Sequence, residues 1–105
     1  VIVVVGRVST DDAKRAELLE VAHKVASVSR QEAGCIDYRI YEDTEQPHHF
    51  VFVEEWEDEE ALQTHFRTAH IAEFMRAITG TIVTAPDVKF HEIASSRDLS
   101  EMAPS

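Results

Sequence analysis

The chain opens on VIVVVGRVS (residues 1–9), a β-branched run with apolar side chains on both faces. Val1, Val3 and Val5 alternate with Ile2 and Val4. Such side chains are stiff at χ1 and pack well on a pleated surface, so the run reads as a strand. A second segment, HHFVFVEEWE (residues 48–57), repeats the pattern, with Phe50 and Phe52 pointing one way and Val51 and Val53 the other. Strands with two apolar faces belong to a sheet that is covered on both sides. This requirement limits the architecture more than any other feature of the chain.

The rest of the sequence supplies one cover. After the first strand, TDDAKRAELLEVAHKVASVSRQEAG places Ala16, Leu19, Ala22, Val25 and Ala26 at helical spacings. Ser9 or Thr10 is the expected cap, Asp11 and Asp12 suit the first turn, and Gly34 suits the left-handed position that ends a helix. This helix is expected to run about 20 residues, roughly 30 Å. CIDYRIYED (35–43) alternates, with Ile36, Tyr38 and Ile40 opposite Asp37, Arg39 and Asp43. TEQP then turns the chain into the third strand, making a hairpin. Two short helices follow. Asp58 caps one, which presents Ala61, Leu62, His65 and Phe66; Thr68 caps the next, which presents Ile71, Phe74, Met75 and Ile78 and stops at Gly80. TIVTAPDVKFHEI (81–93) is a fourth strand, at an edge because Pro86 interrupts it.

The order is β-α-β-β-α-β, with the second helical element in two pieces. That is the α+β, ferredoxin-like plan, with helices on one face of an antiparallel sheet. The chain of 105 residues makes one domain over residues 1–93, and the polar stretch ASSRDLSEMAPS (94–105) is expected to be a mobile tail or an arm on a partner. Helices cover only one sheet face, so the second cover is expected from another copy of the chain, in a homodimer.

Charge and motifs remove several functions. A net charge of −10 makes nucleic acid and anionic membrane surfaces poor partners. No apolar run approaches the roughly 20 residues of a membrane span, and VIVVV is too short for a signal-peptide core. One cysteine, Cys35, excludes an internal disulfide framework and points to a reducing cytoplasm. It falls where a helix turns into a strand, which suits a buried structural thiol. The sequence contains no Gly-rich phosphate loop, H-E-x-x-H or C-x-x-C.

The remaining chemistry concentrates between residues 54 and 74. Glu54 shares a strand face with Phe52 and Trp56; a carboxylate there needs a partner, such as Arg39, Arg76 or a histidine, or its pKa rises and marks a site. His65 lies on the apolar face of its helix, and His70 in the first turn of the next, where the dipole favours the neutral ring. Their i, i+5 spacing is not a same-face pair, so no metal site is expected. Core-boundary histidines are the plain alternative. Trp56 either lines a cavity mouth or caps the core. His48 and His49 read as solvated turn residues and His23 as a surface or boundary residue; His91 has no assignable place.

These residues also carry a resemblance. E-x-G-C (Glu32–Cys35), E-x-W (Glu54–Trp56), D-E-x-A (Asp58–Ala61) and H-x-x-x-x-H-[FIL] (His65–Ile71) together resemble the antibiotic biosynthesis monooxygenase family, which includes quinol monooxygenases. The likeness extends over roughly residues 1–93. It implies a ferredoxin-like protomer in a dimeric α/β barrel, and a cofactor-free monooxygenase acting with O2 on a small aromatic, quinol or polyketide-like substrate. By that analogy His65, Trp56 and His70 orient or deprotonate the substrate, and Tyr38, Phe52, Phe66 and Phe74 form apolar walls. Haem-degrading relatives carry an asparagine on the first strand, and this chain has no asparagine. An isomerase or other non-oxidative enzyme, and a small-molecule-binding stress protein without turnover, are the competing functions for the same scaffold.

Overall fold

A computed structural model describes residues 1–103. Strand β1 (Ile2–Ser9) leads into α1 (Arg15–Ser29), β2 (Cys35–Glu42), β3 (His49–Trp56), α2 (Glu59–Phe66), α3 (Ala69–Thr79), β4 (Asp87–Glu92) and a short α4 (Leu99–Met102). All pairings are antiparallel, in the order β2-β3-β1-β4. This is the ferredoxin-like arrangement, with β4 at an edge as expected.

One sheet face is buried under the helices. Val4 and Val8 from β1, Tyr38 from β2, and Phe50, Phe52 and Trp56 from β3 meet Leu18, Ala22, Val25 and Ala26 of α1, Leu62 of α2, and Ile71 and Ile78 of α3. Burying a large apolar side chain contributes about 1.5–3 kcal/mol, so this layer supplies most of the drive to fold. The opposite face carries Val3, Val5, Val51 and Val53 at its centre, each half-buried, with Arg7, Arg39, Glu55 and Lys89 around them.

Several local expectations are corrected. Helix α1 is 15 residues long, because Thr10 bridges to Ile82 and residues 12–14 form a turn. The hydroxyls expected to cap it are spent elsewhere: Thr10 donates to the Thr81 carbonyl, and Ser9 bonds Thr84 at 2.7 Å. These bonds pin the segment before β4 against the end of β1. Leu18, not Leu19, is the fully buried leucine, and Ala16 is exposed. Strand β4 starts only after Pro86, consistent with the missing N–H of proline. Ile36 is 48% exposed because a bulge between Cys35 and Asp37 breaks the alternation before Tyr38. Gly34 does take a left-handed conformation (φ 84°), but in the turn leading into β2, four residues beyond Arg30. His48 is also left-handed (φ 71°) and only 29% exposed; its N–H donates to Glu42. It therefore organises the hairpin instead of being a solvated bystander. Within the polar tail, α4 exposes Leu99 and Met102; Pro104 and Ser105 lie outside the described residues.

The two caps between β3 and β4 form as read. Asp58 accepts the Ala61 N–H at 2.8 Å and Thr68 accepts the Ile71 N–H at 3.3 Å. Thr68 thus starts a new helix two residues after Phe66, and the change of axis at that point positions the site.

Candidate active site

The period of two along β3 points Phe52, Glu54 and Trp56 toward the helices. Trp56 is fully buried, and its indole N–H donates to Glu54 Oε1 at 3.1 Å. Tyr38 stands opposite Glu54 on β2 and meets Phe52 and Trp56 edge-on. Glu54 is 8% exposed and, among the described residues, makes no ion pair. Arg39 pairs instead with Asp37 on the outer face, and among the described residues no ion pair joins Arg76 to Glu54. Burial therefore raises the Glu54 pKa to about 7, with hydrogen bonds from Trp56 and Tyr38 pulling the other way. A carboxyl balanced at neutral pH can accept and return a proton. Burial also pushes the Tyr38 phenol far up, keeping it a donor.

His65 ends α2 with its ring 4.5 Å from the Trp56 ring and 1% exposed. Its Nδ1 lies 2.6 Å from Glu32 Oε2. His70 reaches the same oxygen through Nε2 at 2.7 Å. The i, i+5 spacing thus does not keep the two histidines apart, because the helix break at Thr68 turns both toward one carboxylate. Burial lowers the His65 pKa, and the Glu32 carboxylate partly offsets it. Glu32, His65 and His70 form the group of His, Cys, Asp and Glu donors among the described residues close enough to share a metal ion. Their contacts of 2.6 and 2.7 Å are hydrogen-bond lengths. In this structure the carboxylate bridges the two imidazoles.

A cavity of about 540 Å³ opens between the sheet and α2–α3. Glu54 and His65 line it, as do all four expected wall residues, Tyr38, Phe52, Phe66 and Phe74. Trp56 and His70 do not. Trp56 is packed behind the wall, and His70 touches the cavity only through Glu32 and His65. At the rim, Phe66 of α2 meets Phe90 of β4 edge-on at 5.9 Å, both partly exposed. Cys35 is half-buried and its thiol is pushed up to about 11, mainly by burial, which suits the structural role. Sequence reasoning assigned no role to Glu32, Gly6 or the β4 residues Val88 and Phe90. Glu32 stood inside the E-x-G-C motif, the one signal available. The β4 contribution depends on pairing β4 beside β1, which no local pattern reveals.

The protein is ferredoxin-like α+β, with a cavity between the sheet and the helices. The sequence profile described as antibiotic biosynthesis monooxygenase matches residues 1–77, and the chain belongs to that family. It is 32% identical over 98 residues to the Synechocystis protein sll1783, an uncharacterized protein, covering 93% of this chain and 67% of that one. It is 37% identical over 62 residues to YcnE of Bacillus subtilis, whose monooxygenase assignment is itself an inference, covering 59% of this chain and 65% of that one. The chain thus spans about two thirds of the length of these two relatives. A crystal structure from Deinococcus radiodurans, assigned by inference to the same family, superposes with a TM-score of 0.89 at 25% identity, covering 94% of this chain and 98% of that one.

Proposed function

We propose that the protein is a cofactor-independent monooxygenase that oxidises a small aromatic or quinol with O2. The observation that carries this reading is the placement of Glu54 and His65, two proton acceptors, on the wall of an otherwise apolar cavity large enough for a two- or three-ring molecule. A phenolic substrate gives its proton to Glu54 or His65. The resulting anion passes one electron to O2, and the radical pair recombines to form a C–O bond as a peroxide. The protonated base returns its proton to the peroxide. Loss of water, made from the distal oxygen and the ring hydrogen, leaves a carbonyl on the substrate. One oxygen atom stays in the product and the other becomes water. Apolar walls of Phe52, Phe66 and Phe74 keep bulk water from the anion, while Trp56 and Tyr38 hold the Glu54 carboxyl in place.

We further propose that two copies join through the sheet face bearing Val3, Val5, Val51 and Val53, and that the protein works in a reducing compartment such as the cytoplasm. The test is oxygen consumption above the uncatalysed rate with reduced menadione and a panel of naphthols, with 18O2 to follow one atom into product. Glu54→Gln and His65→Ala each should lower kcat by about 10²-fold or more. Conversion that persists under nitrogen would instead identify an isomerase, and saturable binding without turnover a binding protein.

A further inference from the structure

Glu32 sits in the turn between α1 and β2, outside the cavity, and is 13% exposed at its side chain. A half-buried carboxylate oxygen shared by two imidazoles on different helices is not a packing convenience, since both histidine positions could hold neutral apolar residues. Its consequence for His65 is specific. An ionised carboxylate only accepts, so the proton of the neutral His65 ring must sit on Nδ1. The lone pair then lies on Nε2, which has no protein partner among the described residues, on a ring that lines the cavity. His70, by contrast, is 22% exposed at its side chain and borders a shallow outer cleft with Lys24 and Glu73. One imidazole faces the cavity, the other faces outward, and both hold the same oxygen.

We propose that Glu32 is a positioning residue that makes His65 Nε2 the cavity's proton acceptor, and that His70 sets the strength of that acceptor from the protein surface. This deepens the monooxygenase reading and rests on it for its catalytic meaning. When His65 takes a substrate proton at Nε2, the imidazolium still donates Nδ1–H to Glu32, and the opposite charges stabilise it. When His70 is itself protonated, a second positive charge stands at the same oxygen, and protonation of His65 becomes harder. Positive charge at His70 therefore lowers the His65 midpoint. Other ionisable groups around the cluster are Glu54 on β3, Tyr38 and Cys35 on β2, both held protonated by burial, and Arg30, whose guanidinium is bound to the Tyr38 carbonyl. Beside His70, Lys24 and Glu73 pair with each other at 3.0 Å.

Long-range 1H–15N spectra of the histidine rings decide the point on the full chain without any substrate. The wild type should show His65 protonated on Nδ1 near neutral pH. Glu32→Gln keeps an acceptor but removes the charge, and should lower the His65 midpoint by about one to three pH units. His70→Gln keeps a donor to Glu32 and should raise that midpoint. A His65 ring protonated on Nε2, or a midpoint unmoved in His70→Gln, would overturn the proposal, and the His70 variant serves even if Glu32→Gln does not fold. With reduced menadione, the acid limb of kcat should follow these midpoints while KM stays nearly constant. If the wild type turns over no substrate, the oxygenase reading fails, and the spectra still decide the linkage.

Discussion

The Trp56 indole N–H donates to the carboxylate of Glu54, two residues back on the same strand face, at 3.1 Å. The pair ties a fully packed residue to one that lines the cavity. It explains how Glu54 can be buried without a cation: the carboxyl has directional partners in either protonation state. The cost of that burial appears in its titration.

Glu54 should make the fold sensitive to alkaline pH. Its folded pKa of about 7 lies above the ordinary glutamate value of 4.5, so folding favours the protonated acid. The stabilisation is complete below pH 4.5 and is lost as pH rises through about 7. Above that, the ionised form costs about 3 kcal/mol. Glu54→Gln should melt at the same temperature as wild type at pH 4 and clearly above it at pH 8.5. Parallel melting curves across that range would show that the carboxyl is not held neutral.

Trp56→Phe removes the N–H while leaving an aromatic ring. Loss of packing and of the hydrogen bond should cost about 2–3 kcal/mol. Glu54, deprived of its main counterweight to burial, should titrate above 7. Carboxyl 13C spectra of this variant should show the Glu54 midpoint displaced to higher pH. A midpoint at the wild-type position would detach Trp56 from the Glu54 titration.

Gly34 is required twice over. Its φ of 84° disfavours any side chain, and a Cβ there would come within 2.5 Å of the Ala61 Cβ on α2. Its carbonyl also accepts the Glu57 N–H at 2.8 Å, tying the Glu32 turn to the start of α2. Gly34→Ala should destabilise the protein by about 2–4 kcal/mol, read by urea unfolding. Because Glu32 and His65 flank this contact, the variant should also disturb the His65 ring signals.

The proposed dimer can be tested on the outer sheet face. Sedimentation should give twice the 11.9 kDa chain mass for the wild type. Val53→Lys, at the centre of the valine stripe, should shift the mass to the monomer. A wild-type monomer at micromolar concentration would remove the proposal.

Much of this architecture was legible in the chain because it depends on local periodicity. The alternation in HFVFVEEW placed Phe52, Glu54 and Trp56 on one face, and Asp58 and Thr68 announced the helix break. What escaped was everything decided by the angle between elements. Spacing along the chain separated His65 from His70, whereas the turn at Thr68 brings them to a shared oxygen. Trp56 could be a wall or a core residue until β2 and α2 were in place, and Tyr38 and His65 then close over it. Thr10 had the chemistry of a helix cap, but a carbonyl 71 residues away claimed its hydroxyl.

Gly6 lies mid-strand on β1, on the cavity wall, between Phe52 and Val88. A Cβ added there would stand 3.6 Å from Val88 and 3.8 Å from the Phe52 Cβ, ordinary contact distances. The absent side chain is therefore not demanded by the sheet. It is room. Substitution by alanine, then by valine, would narrow the chamber stepwise without touching Glu54 or His65, so under the proposed function the size of molecule admitted and the reaction performed on it are separately heritable traits.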